Sequence, residues 1–225
     1  TTDLTVSTPN LDALLAEYGM TRQEGLVIEN DSNYYAYRYP QTYLLPSLSS
    51  NDITAGVTDG MHVFTPVAQG IVKGDSTDDL TLTTLLSTSS TAYAMQDYAQ
   101  ASTAEQGAND PNGPFNIAVA ASNSTTGAKV VWVNCANLLN SKGIEYVARE
   151  YASLLIGGNA QLLTSTMNWM TGEENGVVID SKSMSAETLT VPAKAIMLLG
   201  LLFTIVVPLA FIVAGIAITL VRRRR

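Results

Sequence analysis

Cysteine and histidine occur once each in this chain of 225 residues, as Cys135 and His62. A single cysteine excludes an intrachain disulfide framework, so the fold must be held by its core. The same scarcity effectively excludes a structural zinc site within the chain. Basic residues are few as well: twelve against twenty acidic ones, for a net charge of −8. Five of the twelve are Lys194 and the four residues that end the chain, so residues 1–193 carry a net −13. A region that acidic repels a phosphate backbone, which argues against a nucleic-acid partner, and it repels anionic headgroups too. No Walker-type glycine-rich loop is present. The chain starts Thr1-Thr2-Asp3, without an initiator Met, a basic n-region or an apolar h-region. A removed signal, or an upstream transmembrane segment in a longer polypeptide, is therefore expected ahead of residue 1.

What the chain does have is an uncharged run from Ala195 to Val221, followed at once by Arg222, Arg223, Arg224 and Arg225. At about 1.5 Å per residue the run reaches roughly 40 Å, against a hydrocarbon core of roughly 30 Å. Each arginine would resist the membrane centre by about 2.5–3.5 kcal/mol, and clustered positive charge stays on the cytoplasmic side. The expected order is an exoplasmic domain at 1–180, incomplete at its N-terminus, and a polar stalk at 181–193. A transmembrane helix at 194–221 and a cytoplasmic tail at 222–225 follow. The localisation expected is the cell membrane. Pro208 should kink the span or free a carbonyl for a partner, and Gly200 and Gly215 are small positions where another helix could approach.

The exoplasmic part reads as α/β. Thr8 suits an N-cap, Pro9 the first helical position and Gly19 the left-handed position after a helix carrying Leu11, Leu14, Leu15 and Tyr18. Strands are expected at Gly25–Glu29, Met61–Val67, Leu80–Ser87, Phe115–Ala121, Lys129–Asn134 and Val177–Ile179. Asn51 or Asp52 can cap a turn or two before Val57. Gln96–Gly113 reads as a loop. Ile144, Val147, Ala148, Tyr151, Leu154 and Leu155 share a helical face, and Asn159 can cap a second helix carrying Leu162, Leu163, Thr166, Met167 and Met170.

Several segments in order carry a family resemblance. They are Asn10-Leu11-Asp12-Ala13-Leu14-Leu15-Ala16-Glu17-Tyr18-Gly19, Tyr43-Leu44-Leu45-Pro46, Leu85-Leu86-Ser87-Thr88-Ser89 and Gly113-Pro114-Phe115-Asn116-Ile117-Ala118-Val119-Ala120. Gly158-Asn159 then leads to Asn168-Trp169-Met170-Thr171-Gly172-Glu173-Glu174, and Pro208-Leu209-Ala210 to the arginines. Together they resemble the exoplasmic domain of the GldG-like, gliding-motility-associated ABC-transporter auxiliary family. The resemblance implies an intraflagellar-transport-like domain with a Rossmann-like, class-I-amidotransferase-like sheet, of which this chain is the C-terminal part. It also implies an N-terminal transmembrane segment and more of the domain upstream, and ABC permease and ATPase subunits as partners. Where such proteins often end a strand in Gly-Asp-Ser, this chain has Val133-Asn134-Cys135-Ala136, so no acidic role carries over to that turn.

Three functions of different class follow. The first is a non-enzymatic exoplasmic accessory subunit of an ABC-type transport or assembly system. The second is a free-standing, membrane-anchored module for glycan, cell-wall material or protein. It would use Tyr35, Tyr37 and Tyr39, whose alternation puts three rings on one face of a strand, unless they pack on the core. The third is a Cys135-dependent amidotransferase-like hydrolase with His62 as its base. It lacks the glycines of a nucleophile elbow, and no catalytic residue is expected. Asp75, Asp78 and Asp79 do not have calcium-loop spacing, and no metal or other cofactor is expected.

Overall fold

The structure is a computed structural model that describes residues 7–36, 40–58, 61–138, 158–172 and 193–223. Helix α1 (Pro9–Glu17) starts on the expected proline, and Gly19 takes up a left-handed φ of +69° after it. An added Cβ there would also come within 2.9 Å of Leu82, so glycine answers both needs. Thr8 stands at the cap position but makes no side-chain cap bond. Its hydroxyl instead faces Asp12 and accepts from Arg22 Nη2 at 2.9 Å, beside the Arg22–Asp12 ion pair at 3.0 Å.

Strands β1 (Met20–Arg22), β2 (Leu26–Ile28), β3 (Tyr43–Leu44) and β4 (Ser47–Leu48) follow, then a 3₁₀ turn, Thr54–Gly56. Asn51 caps that turn through Oδ1, which accepts from Ile53 N and Thr54 N. Next come β5 (Thr65–Pro66), β6 (Ile71–Lys73), β7 (Leu80–Ser87), β8 (Tyr93–Met95), β9 (Asn116–Asn123) and β10 (Lys129–Val133). Helix α2 is Ala160–Thr171. The apolar helix comprises α3 (Ala193–Leu201), a π-helical turn (Leu202–Val206) and α4 (Val207–Arg223). The expected helix through Ile144 and Leu155, the Val177–Ile179 strand and the polar stalk lie outside the described residues.

The main sheet runs β1-β6-β9-β7-β4, and β10 takes the rest of the β9 flank that β6 begins. β2 pairs with β8 and β3 with β5 in two small sheets. Every pairing among the described strands is antiparallel. The expected α/β class is thus observed in its coarse form, as a mixed α/β fold on an antiparallel sheet, whereas a Rossmann-like sheet is mainly parallel. The physical reason lies in the connections. β9 and β10 are joined by a tight turn in which Asn123 Oδ1 accepts from Thr125 N and Thr126 N, too short for a parallel crossover.

β9 is the centre, with Ile117 to Ala121 all buried. One face packs with α1 through Val119, Ala121, Leu82, Met20 and Leu15. The other faces the larger core, where Ile117, Ala118, Ala120, Leu85 and Leu86 meet Phe115 and Leu162. A run of alanines and β-branched residues suits a strand covered on both sides, because the layers can approach closely.

Asn159 corrects a second expectation. It precedes α2 yet makes no side-chain cap bond, and its backbone is already helical. Its fully buried amide instead accepts from Phe64 N at 2.7 Å and donates to Phe64 O at 2.8 Å and Leu138 O at 3.1 Å. This is why the expected Met61–Val67 strand shrinks to Thr65–Pro66: Phe64 spends its backbone groups on a side chain. Gly158 is required beside it, since a Cβ there would lie 2.3 Å from His62 O. Asn159→Ala would remove three buried hydrogen bonds at about 0.5–1.5 kcal/mol each. We expect it to lower the unfolding free energy by roughly 3 kcal/mol or more in denaturant titration read by the fluorescence of Trp132 and Trp169. Asn159→Asp should lose nearly as much, because a carboxylate cannot donate to either carbonyl.

Candidate functional site

The polar hub of the domain lies just past the end of β10. Asn134 N continues the ladder to Ile117 O, its amide Nδ2 donates to Gly70 O at 3.1 Å, and its carbonyl accepts from Gln69 N. Gln69, itself buried, accepts from Arg22 Nη1 at 3.2 Å. One line of contacts therefore joins the N-terminus of α1, through Arg22 and Gln69, to the β10 turn. At the turn where the family resemblance directs attention to an acidic residue, the chain has this amide, with every described contact made to backbone.

Cys135 follows, 5% exposed, with its thiol donating to Pro66 O at 3.3 Å. Burial pushes the thiol up to about 12, although the N–H groups of Asn137 and Leu138 pull the other way. A nucleophilic cysteine needs the opposite environment, one that favours the thiolate. His62 is half-buried on the segment before β5, and no hydrogen bond joins it to Cys135.

Two hollows flank this region. A groove of about 300 Å³ between β10 and α2 is lined by Val131, Val133, Cys135, Leu162, Thr166 and Met170, among others. A second, of about 280 Å³, lies around the 3₁₀ turn with Ser49, Ser50, Asn51 and Thr58 on its walls. Neither lining, among the described residues, includes a charged side chain. Among the described residues no three His, Cys, Asp or Glu side chains gather as a metal site. In the acidic loop, Asp79 accepts from Thr125 Oγ1 at 2.7 Å, which ties it to the β9–β10 turn.

Of the tyrosine strip, Tyr35 is described and Tyr37 and Tyr39 are outside the described residues. Tyr35 forms a bridge with Leu44, flanked by Ala36 N to Tyr43 O at 2.9 Å and Leu45 N to Tyr34 O at 2.7 Å. The backbone there is strand-like. Ala36 points into a small core with Leu45 and Phe64, and half-buried Tyr35 points the other way.

The apolar helix supplies the remaining candidate surface. Met197–Ile218 is long and apolar enough to cross a membrane, with a mean hydropathy of 2.8 and none of that window buried against the rest of the chain. Pro208 has no N–H to give, and the missing donor is absorbed by the π-helical turn before it, in which Val207 N bonds to Leu202 O. The turn also changes the phase of the helix. At about 100° per residue Gly200 and Pro208 would sit roughly 80° apart. Five residues wound at about 4.4 per turn remove most of that difference, so Gly200, Thr204 and Pro208 fall along one face. Gly215 lies two turns beyond Pro208 on the same side. Arg222 and Arg223 are helical and exposed, and Arg224 and Arg225 are outside the described residues.

Sequence reasoning missed the hub formed by Asn134, Gln69 and Asn159. Its only signal was three amides at positions that the apolar pattern marks as interior. It also missed Lys129, whose Nζ donates to Trp169 O at 2.6 Å and lies 4.9 Å from the Trp169 ring centre. That cation serves the C-terminus of α2 from another element, where no local pattern reveals it.

No family model matches the chain, and no curated protein sequence matches it. Among solved structures it is similar to the mmIFT52 N-terminal domain, at 15% identity and a TM-score of 0.47, over 75% of this chain and 60% of that one. The chain thus spans 60% of the length of that neighbour. A likeness of this size carries no argument about function.

The thiol gives a direct test. Cys135 should resist iodoacetamide at neutral pH in the folded chain and react once the chain is unfolded. Because its folded-state value is raised, its contribution to stability is complete below the ordinary thiol range and falls as pH rises from about 9 toward 12. Cys135→Ala should remove that alkaline loss in unfolding experiments run as a pH series.

Proposed function

We propose that this chain is a non-enzymatic, exoplasmic accessory subunit of an ABC-type transport or assembly system, a GldG-like protein held in the cell membrane by its C-terminal helix. The observation that carries the reading is the apolar helix ending in arginines, the one candidate span among the described residues, in a chain whose first 193 residues are strongly acidic. The tendency of clustered positive charge to stay at the cytoplasmic face supports an acidic domain on the outside, where it would stand off anionic lipid. The family resemblance supplies the system: permease and ATPase subunits as partners, a domain that extends upstream of residue 1, and kinship with the Rossmann-like, class-I-amidotransferase-like class. ATP would be hydrolysed by another subunit, since no nucleotide loop occurs here. The helix face bearing Gly200, Thr204, Pro208 and Gly215 is where the permease would pack.

A free-standing binding module using the tyrosine strip is the second reading, and it is favoured by the strand-like backbone at Tyr35, whose side chain is half-buried beside the buried Ala36. The test that separates them is mild-detergent purification of the tagged protein from its native membrane, with mass spectrometry of what stays bound. Stoichiometric recovery of an ATP-binding subunit and a polytopic permease is the expected result. Recovery of the protein alone at several detergent strengths would overturn the accessory-subunit reading. Saturable glycan binding, lost in Tyr35→Ala, would then carry the second.

A further inference from the structure

The π-helical turn leaves polar groups open in the middle of the apolar helix. Val207 N bonds to Leu202 O, five residues back, and position 208 is a proline without an N–H. Phe203 O would take its donor from Val207 in an α-helix and from residue 208 in a π-helix. It therefore has no main-chain donor in its own helix at either spacing. Thr204 comes next in the chain and is exposed. Among the described residues its hydroxyl makes no hydrogen bond, whereas Thr164 and Thr171 in α2 bond back to Ala160 O at 2.9 Å and Met167 O at 3.1 Å.

The centre of Met197–Ile218 falls between Val207 and Pro208, so both groups lie about 6 Å along the axis from it, inside a hydrocarbon half-thickness of roughly 15 Å. Lipid offers no hydrogen-bond partner at that depth, and a polar group left unmet there is costly. A carbonyl points toward the C-terminus of its helix and a side chain leans toward the N-terminus. The Phe203 carbonyl and the Thr204 hydroxyl thus come to nearly one depth, an acceptor and a donor side by side.

Resting on the membrane-spanning part of the reading above, and not on the transport subunits, we propose that this turn is the pairing site for the same helix of a second copy of the chain. Copies inserted in one direction and related by a two-fold axis along the membrane normal carry each residue at the same depth. The Thr204 hydroxyl of each then donates to the Phe203 carbonyl of the other. Two groups that one chain leaves unmet satisfy each other in a pair. Gly200 and Pro208 stand about one turn to either side of Thr204, and neither has a long side chain to hold the two backbones apart. A permease would then meet a pair of helices.

The test uses the full chain, fused to fluorescent proteins, in phosphatidylcholine vesicles at a series of protein-to-lipid ratios, with association read by energy transfer. We expect a monomer–dimer curve that shifts with dilution in lipid. Thr204→Val keeps the branched shape and removes both bonds, so it should raise the dissociation constant about tenfold, at about threefold for each interhelical bond. Thr204→Ser keeps the hydroxyl and should stay within about twofold of the parent. Pro208→Ala gives Phe203 O a donor within its own helix at whichever spacing the turn adopts, and should weaken the pair as well. A monomer at every ratio, or a pair unmoved by Thr204→Val, would overturn the proposal. Carbonate extraction of the same vesicles separates it from the reading beneath. A chain stripped from the lipid would overturn membrane anchoring itself, whereas a chain that stays but does not pair would overturn the pairing site alone.

Discussion

One buried amide holds the described domain together. Asn159 accepts from and donates to Phe64 and donates again to Leu138, so a single side chain joins the start of α2, the approach to β5 and the segment after β10. All three hydrogen bonds are buried, so the amide compensates the loss of water around the backbone groups it meets. The position of α2 then follows. Leu162 enters the larger core, and the 3₁₀ turn lies so close to α2 that a Cβ on Gly56 would collide with Ser165. Lys129 fixes the other end of the helix from β10. Asn134 acts in the same way on the sheet side, substituting an amide for a strand where β6 gives way to β10 along β9. The domain is closed by side-chain amides at the places where its strands run out.

Charge is as unevenly distributed as hydrogen bonding. The folded part is strongly acidic and its described hollows lack charged walls, while the positive charge is concentrated beyond the apolar helix. The one thiol shows what such an environment does to a reactive group. General acid–base or nucleophilic chemistry needs a titratable group with a tuned environment in a cleft. Here the thiol that faces the apolar groove is kept protonated by burial and occupied by Pro66 O.

Much of the fold was legible because it rests on local rules. The proline that opens α1 and the left-handed Gly19 that follows it, the strands at β7, β9 and β10, and the Asn51 cap each depend on residues within a few positions. The misses have one cause. Thr8 and Asn159 have the residue types of N-caps and stand at N-cap positions, yet their side chains are used by partners far away in sequence or by an ion-pair cluster. Composition and spacing report what a side chain is able to do locally and carry no information about which distant backbone group competes for it. The Rossmann-like detail of the expected class came from a family resemblance and not from the residues, and the short turn between β9 and β10 sets an antiparallel pair there. At the candidate site, Cys135 and His62 were visible as types, but the thiol's bond to Pro66 O was a tertiary fact.

The apolar helix shows the same limit and a way past it. Pro208 marks a lost hydrogen bond from sequence alone, but a kink and a wider turn are different answers to that loss. The π-helical turn at Leu202–Val206 is the answer adopted, and it rotates the half of the helix beyond Pro208 relative to the half before it. A strict 100° wheel scatters Gly200, Thr204 and Pro208 across a quarter of the circumference, which is why their spacing looks unpromising in the sequence. With the wider turn included they form one small-residue and hydroxyl face. A proline that would weaken a helix in isolation thus sets the phase of a surface, because the winding of five residues fixes how the half of the helix beyond it is turned relative to the half before it.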